Sequence, residues 1–67
     1  MKLFQYAILW HPTEKQIEDE NLQSQLIVDI TTVLAIDEKR ALLIAARAIP
    51  EKYLTQLAQV EVALRPF

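Results

Sequence analysis

The stretch QLIVDITTVLAIDEKRALLIAARAIP, residues 25 to 50, decides the fold. Up to Ile36 its β-branched residues alternate. Leu26, Val28, Ile30, Thr32, Leu34 and Ile36 fall on one side, and Ile27, Asp29, Thr31, Val33 and Ala35 on the other. A period of two in residue types that favour a pleated surface reads as a strand. At Asp37 the period lengthens. Its carboxylate suits an N-cap, where it accepts backbone N–H groups that a first helical turn leaves free, and Glu38 meets the positive end of the helix dipole. The pattern therefore predicts a helix over Asp37 to Ile49. Leu42, Ala45, Ala46 and Ile49 form its expected inner stripe, with Ala41 and Ala48 beside it and Lys39, Arg40 and Arg47 outside. Alanines on that side let the helix axis approach a sheet closely. Pro50 ends the helix, because its ring disfavours a helical conformation at Ile49.

On the amino-terminal side, Leu3 to Trp10 holds no charge, and Phe4, Tyr6, Ile8 and Trp10 alternate with Leu3, Gln5, Ala7 and Leu9. This is a strand apolar on both faces. Residues 11 to 25 carry four acids against one Lys and form an acidic connection. Thr13 and Gln16 have the spacing of a capping box, which allows one short helix there. Beyond Pro50, PEKYLTQLAQ suits a second short helix with the proline in its first turn, and Tyr53, Leu54 and Leu57 facing inward. Val60, Val62 and Leu64 alternate with Glu61, Ala63 and Arg65 in a third strand closed by Pro66.

The order β-β-α-β implies a single α+β domain over residues 1–67 with a three-stranded, mixed or antiparallel sheet. If the first two strands form an antiparallel hairpin, a right-handed crossover through the helix returns the third strand parallel to the second. The uncharged first strand belongs in the middle. The strands bearing Asp29 and Pro66 belong at the edges, which gives the order 2-1-3. One main helix then covers one face, and the other face stays open.

Size makes that open face important. Folding a chain of 67 residues removes about 7,000 Å² from water, roughly 60% of it apolar, for about 100 kcal/mol. Ordering the chain at about 1.5 kcal/mol per residue costs nearly as much. Small folds usually close such a gap with disulfides, a metal or a partner chain. The sequence has no Cys and one His, so no disulfide and no four-ligand zinc set is available. With 52% hydrophobic residues, a partner is the expected remedy. The chain itself, as a homo-oligomer, is the first candidate, and a larger protein the second. The aromatic residues Phe4, Tyr6, Trp10 and Phe67 are the expected interface.

Residue chemistry narrows the function. His11, the only His, stands beside Pro12 at a strand end with no Cys nearby, and Ser24, the only Ser, lies in a polar loop, so catalysis by a nucleophile and base is not expected. Glu18, Asp19 and Glu20 are consecutive and lack the alternating oxygen ligands and glycine of a calcium loop. A sequence with no glycine lacks the usual phosphate cradle. The expected reading is non-enzymatic, with no cofactor and no metal. A pI near 5.2 argues against nucleic acid, whose phosphates demand basic charge. No apolar run reaches membrane-spanning length and no signal-peptide cleavage pattern follows Trp10, so the protein is expected neither in the membrane nor secreted. One site chemistry stays open: Arg40, Arg47 and Arg65, brought together at a subunit interface, would hold a small nucleotide-like anion.

Two segments carry a resemblance. AARAIPEKYL, residues 45–54, and the terminal VEVALRPF, residues 60–67, resemble very small proteins encoded by tailed bacteriophages, and the likeness spans nearly all the chain outside 11–25. The resemblance implies a phage protein, located in the host cytoplasm or the virion, that serves as a virion component or assembly accessory. An oligomeric sponge for a host signalling nucleotide is the alternative. It assigns no functional residue.

Overall fold

The uncharged amino-terminal run becomes the central strand. The computed structural model describes residues 1–67, ordered as β1 (Lys2–Trp10), α1 (Glu14–Glu20), β2 (Gln25–Ala35), α2 (Glu38–Arg47), a 3₁₀ segment (Glu51–Gln59) and β3 (Val60–Pro66). The sheet order is β2-β1-β3, as the sequence leads one to expect, and β1 is antiparallel to both neighbours. Residues 11–25 contribute a real helix rather than only a connection. Thr13 accepts from the Gln16 N–H while the Gln16 side chain accepts from the Thr13 N–H, which completes the capping box. Asn21 ends this helix in the left-handed region at φ 53°, a conformation Asn tolerates better than most residues.

Register sets which side chains share a face. Phe4, Tyr6 and Ile8 pair with Val33, Thr31 and Val28 of β2 and with Pro66, Leu64 and Val62 of β3. β2 is longer than β1 and accommodates the difference in two register shifts, one opposite Ala7 and one beside Ile8. At the first, the Ile30 N–H donates to the Asp29 carboxylate at 2.7 Å, and the Thr31 hydroxyl donates to the Asp29 carbonyl at 2.9 Å. Asp29 thus satisfies backbone that an irregular edge strand frees from the ladder.

Helix α2 lies on the Phe4 face. Ala41 joins Phe4 and Ala35 in one buried cluster, and Ala45 joins Tyr6 and Ile8 in a second. Asp37 caps the helix by accepting from the Arg40 N–H at 2.9 Å. The inner stripe is rotated from the expected one. Ala41 and Ala45 are buried with Ala48 and Ile49 half-buried, whereas Leu42 and Ala46 are exposed. Methyl groups at i and i+4 let the backbone settle closer to the sheet than a leucine would, and closeness prevails over side-chain size. The 3₁₀ segment breaks at Gln56 (φ −127°, ψ 32°), and there Tyr53 is half-buried while Leu54 and Leu57 point to solvent, against expectation. Helical spacing does not hold across the break.

The result is an elongated, thin slab. Its radius of gyration is 13.4 Å, against about 11 Å for a compact chain of this length. Its accessible surface is 5095 Å², against about 4,300 Å² for a compact monomer of 7.7 kDa. No helix is long and apolar enough to cross a membrane.

Candidate functional site

Residues directly opposed in an antiparallel pair point to the same side, so the face away from α2 can be read off the ladder. Along β1 it holds Leu3, Gln5, Ala7 and Leu9. Leu34, Thr32 and Leu26 of β2 stand opposite Leu3, Gln5 and Leu9, and Arg65, Ala63 and Glu61 of β3 stand opposite Gln5, Ala7 and Leu9. Ile30 completes the face beside Ala7 and Ala63, where the small side chains leave a shallow recess of about 210 Å³. No segment of the chain covers it. Leu3, Leu26, Ile30 and Leu34 keep 42%, 55%, 58% and 58% of their surface exposed. The polar groups of the face are held in place: Arg65 donates from Nε and Nη2 to Oε1 of Gln5 at 3.1 and 2.9 Å. Phe67 closes the corner, tied by its N–H to the Leu3 carbonyl at 3.0 Å, with its ring exposed.

The expected interface set therefore needs correction. Phe4, Tyr6 and Trp10 are buried in the chain's own core, on the side that α2 occupies, and of the four only Phe67 presents a surface. The free side belongs to Leu3, Leu26, Ile30 and Leu34. Their signal was visible as one half of each alternation, but nothing in the spacing says which half the helix will choose.

No protein-family model, curated protein or solved structure matches this chain. The site must stand on its geometry.

The three arginines are likewise not gathered within one chain. Arg65 lies on the open face against Gln5, whereas Arg40 and Arg47 ride on α2, which packs on the opposite face. A sheet separates them. Arg47 makes no ion pair with Glu51; the one histidine–carboxylate contact of the chain joins His11 and Glu61.

That pair belongs to a cluster that sequence distance concealed. His11 Nδ1 lies 2.7 Å from the Ser24 hydroxyl, and His11 Nε2 lies 3.2 Å from a Glu61 carboxylate oxygen. Three residues from the ends of three strands meet at one end of the open face. A serine, histidine and carboxylate in contact are the parts of an activated nucleophile. Here the His11 and Glu61 side chains keep 41% and 60% exposure, so the contact is open to water. The cluster joins the ends of the three strands. Nearby, Gln59 Nε2 donates to the His11 carbonyl and to Gln16 Oε1, linking α1 to the end of the 3₁₀ segment.

A second recess, of about 300 Å³, lies at the same end of the molecule on the helix side of the sheet, lined by Trp10, Leu22, Gln25, Lys52, Tyr53 and Gln56. The indole Nε1 donates to Gln56 Oε1 at 3.0 Å, and the Lys52 ammonium sits 5.1 Å from the centre of the Tyr53 ring. None of the three expected anion-binding arginines lines it.

Proposed function

We propose that this chain is a non-enzymatic protein-interaction module that works as a homo-oligomer through the open face of its sheet. A virion-associated or assembly-accessory role, as the phage resemblance implies, is the setting in which such a module would act. One observation carries the reading: apolar side chains of β1 and β2 stand uncovered on a sheet whose other face alone holds the core.

Area supports it quantitatively. The chain exposes 5095 Å², roughly 800 Å² more than a compact monomer of its mass. About 800 Å² is what each partner loses in an interface of ordinary size. Leu42, Leu43 and Ile44 are also exposed on α2, but three consecutive helical positions spread over about 200° of circumference and make no single flat patch.

Sedimentation equilibrium on the full chain tests the reading. The expected result is an oligomer at micromolar concentration that Ile30→Lys or Leu34→Lys converts to monomer with an unchanged circular dichroism spectrum. A wild-type chain that stays monomeric at every soluble concentration would overturn it.

A further inference from the structure

We infer that two copies pack open face to open face about a two-fold axis that runs across the strands through the row of Ile30, Ala7 and Ala63. Each Glu61 then lies over Arg65 of the second copy. The inference rests on the self-assembly reading and adds the partner's orientation and register.

β3 is the strand of the face that carries charge. On β3 the outward residues are Glu61, Ala63 and Arg65, an acid and a base placed symmetrically about an alanine. A strand with that pattern is complementary to itself when reversed end for end. A two-fold axis across the strands performs that reversal, lays β3 on β3 and forms two opposite-charge contacts at once.

The competing arrangements fail on the same charges. An axis parallel to the strands sets β3 over β2, which places Glu61 above Leu26 and Arg65 above Thr32, so that Glu61 keeps only its contact with its own His11 and Arg65 meets no carboxylate. Moving the transverse axis one row toward Gln5 stacks Arg65 on its own copy, and moving it one row toward Leu9 stacks Glu61 on its own copy. Like charges in contact exclude both registers. Only the Ala63 row pairs every charge.

The central row also allows close packing. Ile30 meets its own copy on the axis, and Ala7 and Ala63 beside it are small enough to let the sheets come close. Sheets that stack face to face stand about 10 Å apart, a gap that a glutamate and an arginine side chain together can span. β3 is an edge strand, so the charged pairs sit at one rim; β2, with Leu26, Ile30 and Leu34, forms the opposite edge, and Leu3, Ala7 and Leu9 of β1 lie between.

Charge reversal and mixing provide the test, read by sedimentation equilibrium on full-length chains whose folding is checked by circular dichroism. Glu61→Arg makes the β3 face all basic, and Arg65→Glu makes it all acidic. Each alone is expected to raise the dimer dissociation constant roughly tenfold or more by like-charge contact. An equimolar mixture of the two is expected to form heterodimers at least as readily as the wild type. Glu61→Gln and Arg65→Gln serve where reversal perturbs the fold, and are expected to weaken the dimer and reduce its salt dependence. A wild-type chain that never dimerises overturns both this arrangement and the reading beneath it. A dimer that forms normally but is indifferent to the reversals, the Gln variants and the mixture leaves self-assembly standing and overturns this geometry.

Discussion

Trp10 donates its indole N–H to Gln56, the one residue at which the 3₁₀ segment leaves helical geometry. The acceptor is the Gln56 side-chain oxygen Oε1, 3.0 Å from the indole nitrogen of a ring that is otherwise buried. A connection between α2 and β3 is thereby pinned to the end of the central strand.

Gln56→Leu leaves that indole donor without its acceptor, and is expected to cost about 1–3 kcal/mol, the penalty for an unmet buried hydrogen-bonding group. Trp10→Phe removes the donor as well. The double variant is expected to be more stable than the sum of the two single losses predicts, as measured by urea unfolding. Strict additivity would show that the contact has no energetic weight.

The rotated stripe of α2 makes a second prediction. Ala45→Leu forces three extra carbons between helix and sheet at a fully buried position, at an expected cost of about 1–3 kcal/mol or more. Ala46→Leu, one residue along, lies on the exposed side and is expected to change stability by less than about 0.5 kcal/mol. Thermal denaturation of the pair reads the helix orientation directly, and equal losses would mean that the helix sits as its leucine spacing suggests.

Ile8 is the largest side chain sealed completely from solvent. Ile8→Ala is expected to remove about 2–5 kcal/mol. In a core this thin, such a loss should appear as a collapsed thermal transition and not merely a shifted one.

Asp37 caps the only long helix. Asp37→Ala is expected to destabilise the fold by about 1 kcal/mol, and Asp37→Asn, which keeps an acceptor oxygen, by much less. Chemical denaturation of the two variants checks this.

The contact of His11 with Ser24 and Glu61 invites an assay for ester hydrolysis. With the group open to water, wild type and Ser24→Ala are expected to hydrolyse p-nitrophenyl acetate at the same rate. A clear drop in the variant would identify Ser24 as a nucleophile and contradict the non-enzymatic reading.

The covalent chain alone settled the elements and their order. The change of period at Asp37, the capping residues Thr13 and Asp37, and the charge-free run before His11 all act over a few residues, where spacing and local hydrogen bonding decide conformation. The central place of β1 also followed, because the strands with Asp29 and Pro66 suit edges. Sidedness did not. β1 is apolar on both faces, so its alternation is consistent with α2 on either one, and only the fit of Ala41 and Ala45 against Phe4, Tyr6 and Ile8 assigned the aromatics to the core. That fit depends on how closely two backbones can approach in three dimensions, a quantity that no local pattern encodes. The meeting of His11, Ser24 and Glu61, and the placing of Arg65 on the far side of the sheet from Arg40 and Arg47, are likewise products of strand pairing across long stretches of sequence.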